Sequence, residues 1–114
     1  VTVTEDKAII TLMFKDGSIG SIHYFANGGK SFPKERVEVF CDNAVLQMDN
    51  FRKLSSFGWN GFKKMSRWSQ DKGQIHCATA FMDAVRGAGN NPVPLDETFE
   101  IARVSIDIAE ALRK

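Results

Sequence analysis

The sequence predicts an α+β domain, with an open, mainly antiparallel sheet of about six strands and two C-terminal helices packed on one face. Three observations carry that prediction. Short runs rich in β-branched and aromatic residues, parted by turn residues, fill the first two-thirds of the chain. The apolar period then switches from strand-like to helical near Gln74. The strands precede the helices instead of alternating with them, which argues against a parallel α/β sheet.

The elements follow in order. Residues 8–14 read as a first strand, and Asp16-Gly17 turns it into a second at residues 19–25. Residues 27–33, with two glycines and Pro33, form a loop. Residues 35–41 make a third strand with Val37, Val39 and Cys41 on one face. Asp42-Asn43 turns it into a fourth at residues 44–49. Residues 52–57 and 62–68 flank Trp59-Asn60-Gly61, a short hairpin signal. Ile75, Ala78, Met82 and Val85 share a helical face, and Gly87 can end that helix. Asp96 can cap a last helix running to about Leu112, with Glu97 and Glu100 in its first turn. Two helices cover one sheet face, yet the strands carry apolar residues on both. The uncovered face therefore calls for a partner, such as a second copy or another domain.

Composition narrows the function classes. The 114 residues suit a single domain, 1–114. A net charge of +1 supplies no global field for nucleic acid or membrane, and no run approaches the ~20 apolar residues of a membrane span. Neither nucleic acid nor membrane is expected as a partner. Cys41 and Cys77 each sit in an apolar run and read as buried thiols of a reducing, cytoplasmic setting. The chain opens on Val1 directly into strand-like residues, so the natural protein is expected to begin earlier.

No motif supplies a reaction. His23, His76, Cys41 and Cys77 lack the spacing of a zinc site, so no metal is expected. Gly17-Ser18-Ile19-Gly20 and Gly28-Gly29-Lys30 lack the strand–loop–helix setting of a phosphate loop. The aromatic and basic stretch from Phe51 to Trp68 could stack on a single strand of nucleic acid. An alternating hairpin with one apolar and one charged face explains it better. Lys30, Lys34 and Arg36 cluster around Phe32-Pro33 and could hold a carboxylate, a phosphate or a polyol. Gln70-Asp71-Lys72-Gly73 is a second polar cluster, placed just before the first helix, and is expected near the first. Lys30, Lys34, Arg36 and Lys72 are the candidate pocket residues.

Five phrases occur together and in order: residues 14–20, 26–40, 49–52, 70–73 and 81–87. As a set they resemble the C-terminal domain of the glucose–fructose oxidoreductase / inositol dehydrogenase (Gfo/Idh/MocA) family, over nearly the whole chain. The resemblance implies a longer parent whose N-terminal Rossmann domain binds NAD or NADP. It implies an oxidoreductase acting on a CH–OH group of a sugar or polyol-like substrate. It also implies an antiparallel sheet that borders the substrate pocket and pairs with a second subunit. The family's catalytic lysine and histidine have no counterpart in this sequence, so the chain alone is expected to be inactive. Relatives often carry histidine directly after Asp-Lys-Gly, where this sequence has Gln74. A non-catalytic dimerisation module is the alternative reading.

Overall fold

The computed structural model describes residues 6–113. The order is β1 (Lys7–Met13), β2 (Ile19–Phe25), β3 (Arg36–Cys41), β4 (Ala44–Asp49), β5 (Lys53–Phe57), β6 (Lys64–Ser66), α1 (Gln74–Val85) and α2 (Leu95–Leu112). All paired strands are antiparallel, as the α+β prediction requires. One expectation needs correction: the six strands form two sheets, one of β1-β2 and one ordered β3-β4-β5-β6. Nothing in the loop at residues 27–33 forces β2 to pair with β3. The chain divides into two compact units, one holding β1, β2 and α2, the other β3 to β6 and α1.

The first unit contains the β1–β2 hairpin in the register Lys7↔Phe25 to Met13↔Ile19. Gly17 takes φ +88° in its turn, and the Ser18 N–H donates to the Asp16 carboxylate at 2.9 Å. Along β1, Ala8, Ile10 and Leu12 are the more covered residues, whereas Ile9 and Met13 are exposed. α2 starts differently from its predicted cap. Pro94 is the N-cap residue, its carbonyl accepts both the Thr98 N–H and the Thr98 hydroxyl, and Asp96 lies within the first turn. Proline supplies a fixed φ before the helix, and Asp96 and Glu97 then favour the positive end of the dipole.

The second unit is a meander. Asp42 and Asn43, at φ 47° and 59°, form a two-residue turn that both side chains tolerate. The β5–β6 connection is longer than the predicted Asn-Gly hairpin. Ser56 closes it: its N–H donates to the Lys63 carbonyl and its hydroxyl to the Phe62 carbonyl. β6 is correspondingly short. α1 ends in a Schellman motif, with the Ala88 N–H on the Asp83 carbonyl and the Gly87 N–H on the Ala84 carbonyl, Gly87 at φ +73°.

Burial is sparse. Ala8 and Ala44 are the buried hydrophobic residues among those described, and neither helix contains a buried one. The stripe residues Ile75 and Val85 of α1, and Ile101 of α2, stay exposed. Both cysteines are free and exposed, which corrects the expectation of buried thiols. An apolar run implies burial only where something covers it, and the edge strand β3 leaves Val37, Val39 and Phe40 open.

Candidate functional site

The polar residues of the second unit gather at the end of the sheet where β4 turns into β5. β4 and β5 are joined through Asn50 and Phe51, both left-handed at φ 50° and 51°. Asparagine tolerates that conformation, but phenylalanine adopts it at a cost of about 1–2 kcal/mol. The Phe51 N–H donates to the Met48 sulfur at 3.1 Å, and the Arg52 N–H to the Asp49 carbonyl at 2.9 Å. The segment before α1 then binds back onto this turn. The Asp71 N–H donates to the Phe51 carbonyl at 3.1 Å, and the Gln70 side-chain amide to Asn50 Oδ1 at 2.9 Å.

Glu35 ties in the end of the first loop. Its backbone carbonyl accepts the Asn50 N–H at 2.7 Å. Its carboxylate pairs with Lys72 Nζ at 2.6 Å, and Lys72 lies 5.7 Å from the centre of the Phe51 ring. The predicted proximity of the Gln70-Asp71-Lys72-Gly73 cluster to that loop thus holds at Glu35.

Two of the four candidate residues are held in ion pairs. Arg36 pairs across the β3–β4 ladder with Asp49 at 2.9 Å, and Lys72 is taken by Glu35. Lys34 enters no ion pair among the described residues. Lys30 belongs to the first unit. Sequence reasoning missed Glu35 and Asp49, whose carboxylates neutralise two of the four cations. The alternation of acids and bases in Glu35-Arg36 was the available signal.

Asp71 organises the entry to α1. Its carboxylate accepts the Gly73 N–H at 2.9 Å and pairs with Arg67 at 2.6 Å, while Gly73 takes φ +74° as the N-cap residue. The Gly73 N–H, and then the charges of Arg67 and His76, hold its carboxyl below the ordinary aspartate range. A depressed carboxyl contributes stability above its unfolded pKa and loses it as pH falls through the folded value. NMR titration of Asp71 should therefore give a midpoint below the usual ~3.9. Asp71→Asn should remove the acid dependence of helix α1 signals in that window.

Beside this corner lies an open cavity of about 200 Å³, bordered by β4, β5 and β6. Met48, Leu54 and Met65 face one another across the three strands and line it. Arg52, Lys53 and Arg67 supply cations around it. The described residues contain no cluster of histidine, cysteine and carboxylates suited to a metal ion. No described helix is long and apolar enough to cross a membrane.

The chain matches no protein-family model, no curated protein and no solved structure with which it was compared.

Proposed function

We propose that this chain is the C-terminal, substrate-side and oligomerisation domain of an NAD(P)-dependent dehydrogenase that acts on a sugar or polyol-like substrate. The observation that carries the reading is the convergence of three of the segments behind the family resemblance. Glu35, the Asn50-Phe51 turn and Gln70-Asp71-Lys72 lie far apart in sequence yet meet through hydrogen bonds and an ion pair. The antiparallel α+β architecture is also compatible with it.

The described residues do not fit a dinucleotide. Gly17 and Gly20 belong to the β1–β2 hairpin, and Gly28-Gly29 lie in the loop that leads towards β3, so neither glycine pair opens a helix. The cofactor and the catalytic base are assigned to a Rossmann domain preceding Val1, and no chemical step falls to the residues described. Exposed free cysteines agree with a cytoplasmic setting. The open sheet face expected from the sequence, with Val37 and Val39 of β3 exposed, is what supports a homodimer.

The pairing of Arg36 and Lys72 with carboxylates favours a second reading, a dimerisation module that never touches substrate. Kinetics of the full-length protein separate the two. Lys30→Ala and Lys34→Ala are each expected to raise KM about threefold to tenfold with kcat unchanged, the loss of one hydrogen bond to a charged group. Unchanged KM in both variants would leave only the dimerisation module, which light scattering would then reveal.

A further inference from the structure

We infer that the cavity on the β4–β5–β6 face binds a small organic carboxylate with an apolar body. Its floor is apolar: Met48, Leu54 and Met65 stand directly opposite one another in the ladder. The Phe51 N–H on the Met48 sulfur fixes one of those side chains. Such a floor gives a polyol no partner for its hydroxyls, so it disfavours a neutral sugar. The border carries the charge. Of the charged lining residues Arg52, Lys53, Arg67 and Asp71, Arg67 and Asp71 pair with each other at 2.6 Å, whereas Arg52 and Lys53 make no ion pair among the described residues. The Arg67 N–H donates to the Arg52 carbonyl at 2.8 Å, which anchors the Arg52 backbone at the cavity border. A free guanidinium beside an apolar floor matches a carboxylate held as a bidentate pair, with its hydrocarbon part on the methionines and leucine. The volume, about 200 Å³, falls below the ~300–1,000 Å³ of drug-sized sites and suits a ligand with a body of a few carbons or one ring. Such binding does not require the parent to be a dehydrogenase.

Benzoate is the probe, with benzyl alcohol as its neutral counterpart, titrated at constant ionic strength and followed by amide NMR. Benzoate is expected to shift the amides of Arg52, Leu54 and Met65 in a saturable way. Benzyl alcohol, and benzoate added to Arg52→Gln, should bind at least tenfold more weakly. Arg52 is exposed, so the variant should keep the amide dispersion of the parent. Equal affinity for benzoate and benzyl alcohol would overturn the inference. So would shifts confined to other residues, or undiminished benzoate binding by Arg52→Gln.

Discussion

Gly58→Ala is expected to destabilise the β3–β6 sheet by about 3 kcal/mol, from a left-handed penalty near 1 kcal/mol and an overpacking cost near 2. Gly58 follows β5 with φ +72°. A Cβ there would lie 2.6 Å from the Asn43 carbonyl oxygen and 3.4 Å from the Ala44 Cα. Both contacts are backbone, so no side chain can swing away. The β3–β4 turn would have to move, and with it Ala44, a buried residue at the start of the central strand β4. Gly61 provides the internal control. It has φ +84°, but a Cβ there meets nothing within 4 Å. Gly61→Ala should cost only the conformational part, about 1 kcal/mol. Urea unfolding of both variants isolates the steric term. Equal losses would show that the approach of Gly58 to Asn43 does not constrain the sheet.

Lys72→Met is expected to cost about 1 kcal/mol. Its ammonium pairs with Glu35 at 2.6 Å, but the two side chains are 39% and 32% exposed, so solvent limits the pair to about 0.5 kcal/mol. The Phe51 ring beneath it adds roughly another 0.5 kcal/mol. Methionine keeps the apolar stem and removes both electrostatic contacts. Glu35→Gln alone should cost less, because the ring contact survives. A double-mutant cycle should return a coupling near 0.5 kcal/mol that shrinks in high salt. A coupling of zero at low salt would mean that the backbone bonds at Asn50 and Asp71 hold this corner without help from the ion pair.

The parts of the fold legible in the sequence were those set by neighbouring residues. Gly17 and Asp42-Asn43 named their turns because few other residues accept those backbone angles, and Asp16 adds a carboxylate that accepts the Ser18 N–H. Gly87 marked the end of α1 for the same reason. The start of α2 was misplaced because Asp96 is a good cap by type, while Pro94 outranks it by fixing φ two residues earlier. β6 looked longer than its three residues because Phe62 and Trp68 have strand propensity, and Ser56 instead holds a loop over Phe62 and Lys63. The division into two sheets was invisible, since pairing of β2 with β3 depends on long-range contacts.

The site was legible only in part. Lys72 and Arg36 stood out by charge. Their partners did not, because Glu35 and Lys72 are brought together by the Asn50-Phe51 turn across 37 positions. Left-handed Phe51 gave no signal, being a residue type that avoids that conformation. The cavity arises from a cross-strand row whose members lie on three different strands, a register known only once the sheet is formed.

Titration of NADH and NADPH against the full-length protein and against the 114-residue chain tests the assignment most directly. Saturable binding of either nucleotide by the full-length protein, with none by the chain alone, is the predicted result. A full-length protein that binds neither nucleotide, or a chain that binds one unaided, would contradict it.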